Sequence, residues 1–372
     1  MSDAEKLKKN VVRQSAESFD NPLLGNTLRI LDASINRASE GLRVVEAWAR
    51  MALDDAFLSG QLKQLRHDLT ESCVAIEAAW RLRSRDSEAD VGRNVQTEAE
   101  YQRDDFESLL RSNMSRVQQA ARTIEEFSKS DFPDVAKAVE QVRYRAYTLE
   151  KAVFGTAFNR ERFQKAHLYV LVDACEERTG FAKLKSLVTS LVDAGVDLIQ
   201  LRDKSLSDSE LIAAGKVIGS VTHGTEAAWV MNDRVDLCVA AGADGVHLGQ
   251  EDLSVHEARM MLRSNQFIGV STHSAEQARK AVIDGADYIG VGPVFPSPTK
   301  DFDSHVGVKV VKEVLNEVSL PAFAIGGISD SNIATLIAVG CRRVAVSSAI
   351  CKSEDPSESV RTLRARLGTP TW

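Results

Sequence analysis

DAGVDLIQLRDK, residues 193–204, passes from a helix end through a strand into charge within twelve positions. Gly195 closes the helical part, because a left-handed turn costs glycine least. The apolar run through Val196, Leu198, Ile199 and Leu201 then breaks into Arg202, Asp203 and Lys204. Related strings recur as AAGADGVHLG from Ala240, IDGADYIGVG from Ile283 and AVGCRRVAVSS from Ala338. Eight short apolar runs follow His167: HLYVLVD, VDLIQLR, AAWVMND, ADGVHLG, FIGVS, DYIGVGPV, PAFAIGG and RVAVSS. Helical segments such as 181–194 and 275–284 separate most of them. Eight βα units in roughly 200 residues predict a TIM (β/α)8 barrel. A doubly wound sheet would want a glycine-rich fingerprint after its first strand, and none is present.

A barrel of this kind presents its chemistry at the C-terminal strand ends, and the polar clusters fall there. Arg202 and Lys204 follow the second run and Lys300 the sixth, while Asn232 and Ser271 add neutral donors, a set suited to a diphosphate. Asp233 and Asp252 follow neighbouring strands, and two carboxylates with phosphate oxygens and water suit Mg²⁺. The alternative for Asp252 is a helix cap. Gly326–Gly327 after the seventh run and Ser347–Ser348 after the eighth sit where barrels bind phosphate through backbone N–H groups. His247 and His273 are candidate acid/base groups, although His247 lies between Val246 and Leu248 and equally suits a packed, orienting role. No Ser-His-Asp or Cys-His arrangement and no zinc-ligand spacing is present.

The chain has 372 residues, enough for two domains, and only five of its 22 glycines precede residue 166. The front half therefore reads as all-α. From Thr27 to about Asp54, apolar residues fall at Leu31, Ile35, Ala38, Leu42, Val45 and Ala49, one helical stripe. The stripe returns 79 residues later at Leu110, Met114, Val117, Ala121 and Ile124, and Arg37, Arg43 and Glu46 return as Arg116, Arg122 and Glu125. QLRHDL (Gln64–Leu69) and QVRYRA (Gln141–Ala146) mark a second helix after each copy. The pattern predicts a duplicated helical hairpin, a four-helix domain over 1–160, followed by the barrel over 161–372. RSRDSEADVGR (Arg83–Arg93) reads as a polar loop between the copies. Arg37, Arg43, Arg116 and Arg122, with Asp90, Gly92 and Arg93, are candidates for a phosphate or partner site; ion pairing along the helices is the structural alternative. A Walker-type loop is absent.

Net charge is −7 without a basic tail, which argues against a nucleic-acid surface. No run is apolar enough to span a bilayer, and the polar start lacks a signal-peptide segment. Five scattered cysteines without CxxC spacing suit a reducing cytoplasm. A homo-oligomer is compatible with all of this.

Taken in order, QLRDK, ND, GVHLGQED, GVSTHS, VGPVFPSPTK, AIGGI and AVSSAI resemble thiamin phosphate synthase over about residues 166–365. The resemblance implies Mg²⁺-dependent joining of 4-amino-2-methyl-5-hydroxymethylpyrimidine diphosphate to 4-methyl-5-hydroxyethylthiazole phosphate, yielding thiamin phosphate and pyrophosphate. It implies that Gln200 and His247 contact the pyrimidine region and that Arg202, Lys204, Asn232, Ser271 and Lys300 hold the diphosphate. Asp233 and Asp252 would bind Mg²⁺. Gly327 and Ser348 would receive the thiazole phosphate, with Ser297 and Thr299 at the boundary between substrates. Ser297 stands where that family often has Thr, and the hydroxyl is kept. RILDASINRASEGLRVVEAWAR (Arg29–Arg50) and RDSEADVG (Arg85–Gly92) resemble a helical domain fused ahead of some of these synthases, for which pyrimidine phosphorylation has been proposed. A thiazole tautomerase-like barrel and a non-catalytic phosphate sensor are the competing readings; the first need not keep the metal and diphosphate residues, and the second would lack a metal carboxylate or Lys300. For the front domain, kinase, docking and oligomerisation roles stay open.

Overall fold

The computed structural model describes residues 22–86, 88, 90–91, 105–174, 176–296 and 305–368. It divides into two compact units. One holds the described residues up to Ala52 with Leu58–Glu150, and the other holds Leu53–Phe57 with Lys151 onward.

The first unit is helical: α1 (Pro22–Met51), α2 (Ala56–Ser72), α3 (Ala78–Ser84), α4 (Phe106–Ser128) and the first part of α5 (Pro133–Arg162). The two predicted apolar stripes are buried on α1 and α4, as their spacing requires. Asp105 caps α4, accepting from the Ser108 amide at 2.7 Å. The duplicated strings make duplicated ion pairs. Arg66 Nε meets Glu46 at 3.0 Å, and Arg143 Nε meets Glu125 at 2.9 Å. The seven-residue α3 takes in Arg83 and Ser84, so the polar stretch read as a loop begins inside a helix.

The second unit is a closed barrel of eight parallel strands in chain order. The strands are β1 (Leu168–Val172), β2 (Leu198–Leu201), β3 (Ala228–Asn232), β4 (Gly245–Leu248), β5 (Phe267–Thr272), β6 (Tyr288–Val291), β7 (Ala322–Ile325) and β8 (Val344–Val346). Helices α6 (Ala182–Asp193), α7 (Asp208–Thr222), α8 (Val235–Ala241), α9 (Val255–Met261), α10 (Ala275–Asp284), α11 (Gly307–Glu317) and α12 (Ile333–Ala338) alternate with them. Two more, α13 (Ser348–Cys351) and α14 (Pro356–Leu367), follow β8.

The repeated strings have a physical explanation. Gly195, Gly242, Gly285 and Gly340 all have positive φ at helix ends. In three of the four, an Asp stands two residues further on and satisfies amides at the start of the preceding strand. Asp197 accepts from His167 and Leu168 at 2.9 Å each, Asp244 from Trp229 at 2.8 Å and Asp287 from Ile268 at 2.6 Å. These carboxylates serve amides that have no strand partner at the barrel's N-terminal rim.

Strand side chains alternate between faces. The inward set begins in a buried apolar layer of Tyr169, Leu198, Val230, Phe267, Tyr288, Phe323 and Ala345, plugged by Phe163. The Phe163 ring lies 5.2 Å from that of Phe267 and 5.4 Å from that of Tyr288. Further along the barrel, the inward positions become Gln200 and Asn232, two residues beyond Leu198 and Val230, then Ser271, four beyond Phe267, and His247 on β4. The apolar layer is thus the floor on which a polar layer stands.

Candidate active site

The polar layer opens into a cavity of about 840 Å³ at the C-terminal strand ends. Of the predicted barrel residues, Gln200, Arg202, Lys204, Asn232, Asp233, His247, Asp252, Ser271, His273, Gly326, Gly327, Ser347 and Ser348 all line it. Ser297, Thr299 and Lys300 lie outside the described residues.

One side is ionic. Asp233 follows β3 with φ of +60°, a left-handed turn, and its amide donates to the His247 carbonyl at 2.8 Å. This anchoring holds the carboxyl against that of Asp252. Burial raises the Asp233 pKa, and the adjacent Asp252 charge and hydrogen bond raise it further, while Lys204 draws it down. Asp252 does not cap α9. Ser254 does so, accepting from the Glu257 amide at 3.2 Å in a reciprocal capping box. Asp252 instead accepts from the Gly249 amide at 2.6 Å, which fixes its carboxyl beside the end of β4.

The opposite side is built from backbone. Gly326 and Gly327 have φ of +103° and +62°, and Asn332 Nδ2 donates to the Gly327 carbonyl at 2.8 Å. Ser348 begins α13, so its amide belongs to a first turn that has no partners inside the helix. Such groups suit a phosphate.

The floor between the two sides is a continuous hydrogen-bonded chain. Gln200 Nε2 donates to Tyr169 Oη at 2.5 Å, and Tyr169 Oη lies 3.0 Å from Tyr288 Oη. Tyr288 Oη lies 3.0 Å from His247 Nδ1, and His247 Nε2 lies 3.0 Å from Ser271 Oγ. Burial lowers the His247 pKa to about 4, so the ring is neutral at neutral pH. His273 is exposed, and its Nδ1 donates to the Gly292 carbonyl. Tyr169 and Tyr288 were not marked by the sequence, and Gln250, whose Nε2 donates to the Ser271 carbonyl at 2.5 Å, lies within the GVHLGQED motif but was given no role there. Alternation along the strands could have marked the tyrosines, because Tyr288 shares its face with Gly290 and Tyr169 with Leu171, both at the cavity.

In the helical unit, Arg122 pairs with Glu125 at 2.5 Å and with Glu126 at 2.6 Å, the ion-pair alternative raised for it. Arg37, Arg43 and Arg116 are exposed, without an ion pair among the described residues. Asp32, only 5 % exposed, takes Arg85 at 2.7 Å and Arg81 at 3.6 Å. Gly92 and Arg93 lie outside the described residues.

Residues 168–350 match a family model described as thiamine monophosphate synthase, and residues 29–152 match one described as the ThiD2 family. The chain is similar to a thiamine-phosphate synthase of Rhodopirellula baltica, at 40% identity over 349 residues, covering 91% of this chain and 92% of that protein. It is similar to one of Nostoc punctiforme at 38% over 340 residues, covering 91% and 93%. Among solved structures, a thiamine phosphate pyrophosphorylase from Pyrococcus furiosus aligns with a TM-score of 0.48 and 32% identity, over 55% of this chain and 96% of that one. No described helix is long and apolar enough to cross a membrane.

Proposed function

The chain belongs to the thiamine-phosphate synthase family, and from that premise we propose how its barrel face divides the work between two phosphorylated substrates. In the reaction, the bond from the pyrimidine methylene carbon to its diphosphate oxygen breaks, and a bond from that carbon to the thiazole nitrogen forms. Arg202, Lys204, Asn232, Ser271 and Lys300 hold the diphosphate and stabilise the charge it gains on leaving. Gln200 and His247 contact the pyrimidine. Gly326–Gly327 and Ser347–Ser348 hold the thiazole phosphate through backbone donors, with Ser297 and Thr299 between the substrates.

The donor set fits Mg²⁺: two oxygen-bearing side chains, Asp233 and Asp252, are held together against their mutual repulsion. When bound, Mg²⁺ adds positive charge against the departing phosphate oxygens. The electron-rich aminopyrimidine carries the methylene cation, so no protein nucleophile is required. A neutral, buried His247 agrees with that, since it orients and does not attack.

The observation carrying this reading is that cations and paired carboxylates on one side, and glycine and helix-start amides on the other, open onto one cavity. Lys300→Ala and Asp233→Ala should each cut turnover by orders of magnitude in purified protein with an unchanged circular dichroism spectrum. Near-normal turnover of either variant would overturn the assignment.

The helical unit acts before the barrel, by phosphorylating the pyrimidine monophosphate. Its resemblance to a domain associated with that chemistry supports this, as do the exposed Arg37, Arg43 and Arg116, which make no ion pair among the described residues. The test gives the full chain hydroxymethylpyrimidine monophosphate and ATP and follows phosphorus resonances. Diphosphate formation supports the kinase reading. Its absence, with normal synthase turnover, favours a docking or oligomerisation role.

A further inference from the structure

Five side chains, Gln200, Tyr169, Tyr288, His247 and Ser271, form one unbranched chain across the floor of the cavity. Gln200, Tyr169, Tyr288 and His247 are 2 %, 2 %, 0 % and 8 % exposed, so water does not complete their hydrogen bonding. Each phenol has one proton, and neutral imidazole has one N–H and one bare nitrogen. A chain of such groups is fully satisfied in only two ways, with every donor pointing one way or every donor pointing the other. A mixed arrangement strands a buried O–H or N–H, with the full loss of its hydration.

The Gln200 amide selects the direction. Its Nε2 donates to Tyr169, so the Tyr169 hydroxyl donates to Tyr288, and Tyr288 donates to His247 Nδ1. The imidazole proton is then on Nε2 and points to Ser271 Oγ. Ser271, already accepting, has its own O–H free for the cavity. At the other end, the Gln200 carbonyl oxygen is the part of the amide not used by Tyr169.

We propose that Tyr169 and Tyr288 are positioning residues that couple the two ends of the pyrimidine diphosphate site: they hold Gln200 with its oxygen ready for the ring's amino group, and hold His247 as the Nε2–H tautomer so that the Ser271 hydroxyl donates to the diphosphate. This rests on the roles given to Gln200 and Ser271 above. The two ends match the substrate's polarity, with an acceptor for an amine and a donor for an anion. Reversing the chain would present an amide N–H₂ to the amine and only oxygen lone pairs to the phosphate. Recognition of the amino group and grip on the leaving group therefore change together.

The test combines nitrogen-15 spectra of the imidazoles with steady-state kinetics on the full chain. In the unaltered protein, His247 shows the Nε2–H tautomer alone, and an analogue with hydrogen in place of the pyrimidine amino group reacts at least 100-fold less efficiently. Tyr288→Phe, which keeps the ring, gives mixed tautomers, and Tyr169→Phe loses at least tenfold of the amino-group discrimination, mainly in kcat. Gln200→Glu places an acceptor against Tyr169 without touching either tyrosine and switches His247 to the Nδ1–H form. An unchanged Nε2–H tautomer in both Tyr288→Phe and Gln200→Glu overturns the proposal. Full amino-group discrimination retained in Gln200→Ala instead removes the role given to Gln200, a separate failure.

Discussion

A Cβ on Gly269 would lie 2.0 Å from Cζ of Tyr288, so the missing side chain in β5 is the space that the tyrosine of β6 fills. The two residues are register partners in the sheet. Tyr288 is fully buried and touches the rings of Phe163, Tyr169, Phe267, Phe323 and His247. It therefore has no direction in which to retreat.

Gly269→Ala is accordingly an overpacking change in a rigid layer, with an expected cost of about 1–3 kcal/mol. For a domain of this size that is a fall in melting temperature of roughly 2–4 °C per kcal/mol. Scanning calorimetry should show the barrel transition lowered by several degrees, with turnover lost as the Tyr288 hydroxyl moves off His247. Gly60→Ala is the control, because nothing lies near its Cβ position on α2. An unshifted barrel transition in Gly269→Ala would mean that the ring is not pinned.

The strand-end clusters were legible because charge interrupting an apolar run is a local signal. Arg202, Asp233 and Asp252 each announce a strand end within a few letters. Tyr169 and Tyr288 were not, because a tyrosine inside LYVLV or DYIGV reads as ordinary core. What gives them a role is where their hydroxyls end, and that depends on Gly269 and on the register between strands. Likewise α3 was hidden because its seven residues carry no full apolar period and none of them is buried. The duplicated helices were legible because Leu31 to Ala49 and Leu110 to Ile124 repeat one stripe.

His247 sets a pH dependence. Its folded pKa is about 4, against about 6.5 in an unfolded chain. Above 6.5 both states hold a neutral ring. Between 6.5 and 4 only the unfolded chain takes up the proton, so the contribution to stability is present above 6.5 and is lost as pH falls through that window. His167, also lowered by burial, acts in the same direction. Urea midpoints at half-unit steps from pH 7.5 to 4.5 should fall for the unaltered protein, with a shallower slope for His247→Asn. Equal slopes would place the acid sensitivity elsewhere.

Gly327 offers a test of the phosphate side alone. With φ of +62° and a Cβ position 2.3 Å from the Pro296 carbonyl oxygen, an alanine there must move the loop. Gly327→Ala should raise KM for the thiazole phosphate by tenfold or more, about 1.4 kcal/mol. KM for the pyrimidine diphosphate should change by less than threefold. Equal rises in both constants would mean that the loop serves the whole cavity and not one phosphate.

The paired carboxyls predict a reversal of stability order. Without metal, burial raises the Asp233 pKa, and repulsion from the Asp252 charge raises it further. Asp252→Asn relieves that repulsion and keeps an oxygen to accept from the Gly249 amide. In EDTA the variant should therefore melt at or above the temperature of the unaltered protein. Millimolar Mg²⁺ should stabilise the unaltered protein, by about 2.7 kcal/mol where the free metal is 100 times its Kd, and should shift Asp252→Asn little. A raised Asp233 pKa makes protons stronger competitors of the metal, so the stabilisation by Mg²⁺ should grow as pH rises and shrink in acid. Melting curves with EDTA and with Mg²⁺ at pH 5.5 and 8 decide the matter. If Asp252→Asn is already the less stable protein in EDTA, the carboxyl is part of the fold, and the case for a metal pair there is lost.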